Sequence, residues 1–351
     1  MKQLLIISKR QFGHHTNYFK YCKYLKDNYD ITFVCFDTGL EKITLDKVAI
    51  KYIPWKGLKT IRGVRFLVIA MLNIARHNGI IYINYFEKCW ILKKLFPHKT
   101  MILDIRTLSV SLNSVLRQKE DQRLMQACKV FDYITPISTG VAQKLSLKED
   151  KSSILPLGAD IISSTVKTFA ELRLLYVGTL SGRKIEESVK GLAIFRDNNP
   201  TIPINYDIIG DGPELNSIKK LINELKLSNS VKIHGRVPHF KLKPFFDFSN
   251  IGVSYIPITE YYHHQPPTKT YEYILSGMPC IATKTYENTK LITDENGVLC
   301  DDTPESFALA VEVILKNKAQ YRSDNIRDSL KEFNWENIVN NRLVPIFQNL
   351  N

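Results

Sequence analysis

The feature that most limits how this chain can fold is a strand–helix alternation that runs, stops and starts again. Short apolar runs at Gln3–Ile7, Ile31–Phe36, Ala49–Ile53, Ile80–Asn84, Met101–Ile105, Tyr133–Thr135 and Ser153–Leu157 read as strands. Helical periodicity separates them, at Tyr18–Lys26, Arg62–Arg76, Glu87–Leu95, Lys119–Lys129 and Thr139–Leu145. Strands joined through helices pair in parallel, because a parallel neighbour is reached only by a long crossover. Gly158-Ala159-Asp160 closes this series, and Ile161–Ala170 is short, polar and Ser/Thr-rich, as a linker is. The alternation then resumes. Strands are expected at Leu172–Val177, Ile204–Ile209, Val231–His234, Ile251–Tyr255 and Pro279–Ala282, and helices at Glu186–Arg196, Pro213–Leu225, Thr268–Leu275 and Pro304–Leu315. The 351 residues exceed what a single core usually serves. The expectation is an α/β chain of two doubly wound domains, residues 1–160 and 165–334, facing each other across a cleft. Ile338, Leu343, Ile346 and Leu350 make an apolar stripe in a closing helix, about 335–351, expected to pack back on the first domain.

The charge is as uneven as the pattern is regular. Residues 1–160 hold 26 Lys and Arg against 13 Asp and Glu, whereas 161–351 hold 22 of each. The whole excess of +13 therefore sits in the first half, where it favours phosphates, nucleic acid or an anionic membrane surface, or simply keeps the surface solvated. None of the six cysteines forms a C-x-x-C pair, so neither a zinc site nor a disulfide framework is expected. The opening Met1–Ser8 reads as a buried strand rather than a secretory leader, and no apolar run approaches a membrane span. Together these point to a reducing, cytoplasmic setting.

Three stretches of the second half carry chemistry. Tyr176-Val177-Gly178-Thr179-Leu180-Ser181-Gly182-Arg183-Lys184 is a strand, a glycine-bearing loop and a helix start. Glycine lets a ligand approach the backbone, a helix amino terminus favours anions, and Arg183 and Lys184 are placed to clamp a diphosphate. Ile209-Gly210-Asp211-Gly212-Pro213 repeats the strand–glycine–helix arrangement, without the third glycine of a dinucleotide fingerprint, since Leu215 stands there. In Pro266-Pro267-Thr268-Lys269-Thr270-Tyr271-Glu272-Tyr273-Ile274-Leu275-Ser276-Gly277-Met278-Pro279, Lys269 and Glu272 fall near one helix face. The carboxylate suits the two hydroxyls of a ribose; a plain Lys–Glu surface pair is the alternative.

In this order and spacing the three stretches resemble the retaining GT-B glycosyltransferases of family 4. The family pattern V-G-R-L-x-x-x-K-G is matched by Val177-Gly178-Thr179-Leu180 with Lys184, G-x-G-P by Gly210–Pro213, and the end of Glu-x7-Glu by Glu272 followed by Ser276-Gly277-Met278-Pro279-Cys280-Ile281-Ala282. The resemblance covers about residues 130–345. It implies a GT-B fold of two Rossmann-like domains, a nucleotide diphosphate sugar donor in the second domain and an acceptor in the first. Thr179 replaces the family arginine, and His264 stands where the first glutamate falls, with Glu260 and His263 close by. The base is expected against Val231–Pro238, around His234 and Arg236. No Asp-x-Asp metal motif occurs, so neither metal nor cofactor is expected beyond the donor.

The first domain is then expected to hold a glycan or polyprenyl-diphosphate-linked acceptor. Gly13, His14 and His15 follow the first strand, and Asp104 and Arg106 end another, where the resemblance implies a polar residue near the reacting sugar. Arg62–Arg76 reads as covering the sheet. Glu87–Lys99, with Trp90 among lysines, suits either the core or a peripheral contact with an anionic membrane. Two other functions compete: a nucleotide-sugar epimerase of the same architecture, and a non-catalytic nucleic-acid-binding protein. The tyrosines Tyr18, Tyr21 and Tyr24 lie at helical spacing, as a packed face does, so no nucleic-acid partner is expected.

Overall fold

Runs of branched and aromatic residues flanked by polar turns build two parallel sheets in the protein's structure, a computed structural model that describes residues 1–350. The first contains β1 (Lys2–Ile7), β2 (Tyr29–Asp37), β3 (Val48–Pro54), β4 (Ile80–Asn84), β5 (Met101–Ile105) and β6 (Tyr133–Pro136) in the order β3-β2-β1-β4-β5-β6. The second contains β7 (Leu172–Val177), β8 (Ile204–Ile209), β9 (Val231–Gly235), β10 (Ile251–Ser254), β11 (Cys280–Thr283) and β12 (Gly297–Cys300) in the order β12-β11-β10-β7-β8-β9. Both have helices between strands, and both are doubly wound. The chain divides into one unit of Met1–Leu157 plus the segment from Trp335 onward, and another of Gly158–Asn334.

Two strand expectations change. Ser153–Leu157 is not a strand. Ser153 and Leu155 donate backbone N–H groups to Ile134 and Pro136, but Pro156 has no N–H to continue a ladder. Conversely β12 was not expected, because its four residues lie between the acidic pairs Asp294-Glu295 and Asp301-Asp302 and make too short an apolar run. The Ser/Thr-rich stretch after Asp160 lies along the second unit. Its Ser163 and Lys167 N–H groups donate to the hydroxyls of Ser276 and Ser323.

In each sheet the chain leaves the first strand in one direction and later resumes on its other side. The order reverses between β1 and β4, and again between β7 and β10. Loops diverge at the carboxyl ends of those strands and leave a crevice, the usual ligand position in open parallel sheets.

Asp104, at the end of β5, is fully buried, and its partners are structural. Tyr18 donates to Oδ2 at 2.6 Å, Thr135 donates to Oδ1 at 2.8 Å, and Arg106 Nε lies 3.1 Å from Oδ1. Arg106 in turn donates to the Tyr21 hydroxyl at 3.0 Å and to the Leu155 carbonyl at 2.5 Å. The carboxylate thus ties the Thr16–Leu25 helix to β5 and β6, and in this geometry it has no surface to offer a substrate.

The Lys59–Ala75 helix also departs from expectation. Phe66, Ala70 and Ile74 cover the sheet, yet Ile61, Val64, Val68 and Leu72 are 51%, 56%, 44% and 51% exposed. The helix is apolar on both faces, which a packed stripe alone does not require. No helix among the described residues is long and apolar enough to cross a membrane.

Removing one partner from a buried ion pair strands the other charge, at a cost of about 3–5 kcal/mol. Asp104→Ala is therefore expected to lower the thermal midpoint markedly in calorimetry. An unchanged midpoint with a large loss of turnover would instead show a carboxylate that acts on substrate.

Candidate nucleotide-diphosphate site of the second unit

The Thr268–Leu275 helix sets this site. Pro267 precedes it in an extended conformation, and Gly277, at φ 76°, takes the left-handed conformation that ends it. Positions three and four apart share a helix face, so Lys269, Glu272 and Tyr273 project together. Tyr273 anchors them. Its ring is buried against Gly252 of β10, where a Cβ would come within 2.2 Å of it, and its hydroxyl accepts the Val177 N–H at 2.8 Å. Ser254 at the end of β10 and Thr270 exchange a hydroxyl bond at 2.7 Å. The helix therefore sits over the carboxyl ends of β7 and β10, where the strand order reverses.

That position carries the Lys269 ammonium to the ring of Tyr176, 3.9 Å from its centroid, and to within 3.1 Å of where a Gly178 Cβ would lie. A side chain at Gly178 would crowd the Tyr176 hydroxyl, at 2.9 Å, and then this lysine. The Nζ is closed off from solvent and has no hydrogen-bond partner. Burial holds Lys269 well below the usual lysine range, and the Arg183 charge lowers it further. Glu272 accepts from His239 Nε2 through Oε1, at 2.9 Å, while no protein donor among the described residues reaches Oε2.

A cavity of 430 Å³ opens at the ends of β7, β8 and β9, lined by Val177, Gly178, Thr179, Ile209, Gly210, Asp211, Gly212, Arg236 and Val237. Its floor is backbone. The Gly178 N–H donates to the Ile209 carbonyl, Leu180 N–H to Asp211 and Gly210 N–H to Gly235, each at 2.9 Å, so pairing continues past the strands. A Cβ on Gly210 would lie 1.9 Å from the Gly178 carbonyl oxygen, and one on Gly212 would lie 2.3 Å from that of Leu180. These two glycines are demanded by loop-on-loop packing, a reason that sequence reading had assigned to a ligand.

Of the remaining sequence-chosen residues only Arg236 lines this cavity. Arg183 lies over the Tyr262 ring at 4.1 Å, and Lys184, left-handed at φ 51°, points to Asp302 at 3.4 Å. The Gly182 N–H at the same loop is already taken by Glu214 Oε1 at 2.6 Å. His234 is bonded to Asp207 at 2.5 Å and packs on Phe245, while Arg236 reaches the cavity wall. His264 ends the short Glu260–His263 helix with its ring 4.8 Å from that of Tyr286. In the first unit, Gly13 has φ 84° and a Cβ there would strike Ile43 at 2.5 Å, so its glycine is a local necessity. His14 meets the Glu41 carbonyl at 2.8 Å. Burial pushes the neighbouring His15 down to about 4, which leaves a neutral imidazole at physiological pH.

Sequence reasoning missed Tyr176, Tyr273, His239 and Tyr262. Only Tyr273, next to Glu272 at an interior helical position, carried a local signal. The others meet their partners through the sheet order. Among the described residues no group of three or more His, Cys, Asp or Glu is gathered as a metal would need.

Comparisons with known proteins bear on the family and the fold. Residues 164–332 match the family described as Glycosyl transferases group 1. No curated protein matches the chain. Among solved structures, sucrose-phosphate synthase from Thermosynechococcus elongatus is 17% identical, with a TM-score of 0.76 over 100% of this chain and 99% of that one. HepE of Anabaena, in complex with UDP and glucose, is 12% identical, with a TM-score of 0.76 over 99% and 100%. The lipopolysaccharide outer core galactosyltransferase WaaB is 16% identical, with a TM-score of 0.74 over 99% and 100%. The fold they share with this chain is GT-B.

Gly210→Ala forces the two loops apart. Overpacking of this kind costs about 1–3 kcal/mol. Both a lower melting point and weakened nucleotide binding are expected; an alanine variant that melts and binds as the parent does would refute the loop-packing account.

Proposed function

We propose that this chain, whose residues 164–332 match the family described as Glycosyl transferases group 1 and whose fold is GT-B, is a glycosyltransferase that carries out the following reaction. A sugar is transferred from a nucleotide diphosphate donor, held at the 430 Å³ cavity, to a glycan or lipid-linked glycan in the assembly of a surface polysaccharide. The observation that carries this reading is Lys269. A buried ammonium with no partner is costly, and a diphosphate beside Gly178 supplies the missing charge. Glu272 Oε2 is left for the ribose hydroxyls. Lys269, with Arg183 acting on it and Arg236 on the cavity wall, opposes the charge that grows on the leaving diphosphate. These cations take the place of a divalent metal. Donor and acceptor then react on one face of the sugar with retention, the leaving phosphate receiving the acceptor's proton. The UDP bound to HepE favours a nucleoside diphosphate in this position.

Lys269 gives a signed test. A diphosphate favours its charged form and raises its pKa, so binding takes up a proton between the free and bound pKa values. Affinity is fully present below the free pKa and declines as pH rises through that window. Calorimetric titration of UDP, GDP, ADP and CMP in buffers of different ionisation heat is expected to show this uptake for one of them. Lys269→Met should abolish it, and Lys269→Met and Glu272→Ala should each weaken binding roughly tenfold or more. If the folded protein binds none of the four, the transferase reading fails.

The exposed apolar face of the Lys59–Ala75 helix, bordered by Arg62, Arg65 and Arg76, supports a peripheral contact with an anionic membrane, where a lipid-linked acceptor is presented. Vesicles containing phosphatidylglycerol are expected to co-sediment the protein, and Val68→Glu with Leu72→Glu to release it. Equal sedimentation of parent and variant would exclude this face.

A further inference from the structure

A second cavity, of 630 Å³, opens in the first unit at the carboxyl ends of β1, β2 and β4, where that sheet's strand order reverses. Four cationic side chains line it, Lys9, Arg10, Lys59 and Arg62, and no Asp or Glu does. None of the four has an ion-pair or hydrogen-bond partner for its charged group among the described residues, and Arg62 Nε is closed off from solvent without one. The nearest acid acting on Lys9, Glu87, is itself paired with Arg123 at 3.1 Å. Aromatic rings hold two of the cations in place. Lys9 Nζ stands 4.6 Å from the Phe86 centroid, and the Arg62 guanidinium lies 4.0 Å from that of Trp55. Ring faces orient cations without neutralising them. Folding gathers four like charges around one hollow and leaves them uncompensated, which is unfavourable unless an anion completes the site.

We propose that this cavity is the acceptor's anion subsite and binds a phosphate or diphosphate group that the acceptor carries. The inference rests on the transferase reading above and specifies the class of acceptor. A single carboxylate would leave most of this charge unanswered, whereas a diphosphate presents several anionic oxygens to a fork-shaped guanidinium and to ammonium groups. Lys59 and Arg62 also begin the helix whose outer face exposes Ile61 and Val64, so a phosphate in the cavity sits beside an apolar surface suited to a lipid chain.

The test is a titration of the intact chain with sodium pyrophosphate while the second unit is kept saturated with the nucleoside diphosphate it binds. A separate pyrophosphate event is expected. It should weaken roughly tenfold or more in Lys59→Gln/Arg62→Gln, with nucleotide binding unchanged as the control for folding. Because Arg62 packs on Trp55, Arg10→Gln/Lys59→Gln, at two exposed positions, provides a second variant with the same expectation. Farnesyl diphosphate binding tenfold tighter than pyrophosphate assigns a lipid-borne group, and equal binding assigns a water-soluble phosphorylated acceptor. The subsite is refuted by the absence of a second event, by an event unchanged in both variants, or by glucuronate binding as tightly as pyrophosphate. Failure of nucleotide binding is read separately and refutes the transferase reading; a pyrophosphate event present in the parent and weakened in both cavity variants still assigns the anion to the basic cavity.

Discussion

A parallel sheet that grows in both directions from its first strand must leave a gap where the directions part, and both units of this protein place their polar chemistry at that gap. In the second unit it lies between β7 and β10, and the Thr268–Leu275 helix closes over it because Tyr273 is locked to Val177 and fills the space left by Gly252. In the first unit it lies between β1 and β4, where Ser8 donates to Asn84 at 3.3 Å across the two strand ends. The residues assigned to ligands lie where the connections at those strand ends diverge, on loops and on the start of the helix that crosses them.

The two gaps differ in how they treat charge. In the second unit one lysine is buried on a tyrosine ring, and burial itself holds down its affinity for a proton. In the first unit several cations share one hollow, and burial first, with the charges of Lys59 and Lys88 after it, lowers the proton affinity of Lys9. Both arrangements leave positive charge that the protein's own acids do not answer. Stability is set elsewhere, by apolar sheets and by satisfied buried groups such as Asp104 with Tyr18, Thr135 and Arg106. Asp104 shows how an acid at a strand end, an apparent site residue in the sequence, is drawn into the core once a tyrosine, a threonine and an arginine converge on it.

The motif glycines make the same point from the other side. Gly178, Gly210 and Gly212 mark a ligand-binding loop in the sequence, and they do line one cavity. At Gly210 and Gly212, however, the lack of a side chain is required by the neighbouring loop backbone rather than by space for a ligand, and at Gly178 a side chain would crowd Tyr176 and Lys269. Position was legible and reason was not, because a sequence shows which residue is small but not what presses against it. The basic cavity was visible only as an excess of charge in residues 1–160, since Lys9 and Arg62 are brought together by the pairing of β1 with β4 and by the helix that follows β3.

By itself the sequence determined the class of fold: periodicity of apolar residues is local, and its two runs of alternation admit parallel doubly wound sheets and little else. It also placed Lys269 and Glu272 near one face, since helical spacing is local as well. Tertiary structure alone decided which strand ends lie side by side, and therefore that Lys269 meets Tyr176, that Glu272 meets His239, and that four cations of the first unit surround one hollow. Those contacts join residues tens of positions apart, and strand order, which no local pattern encodes, is what brings them within reach.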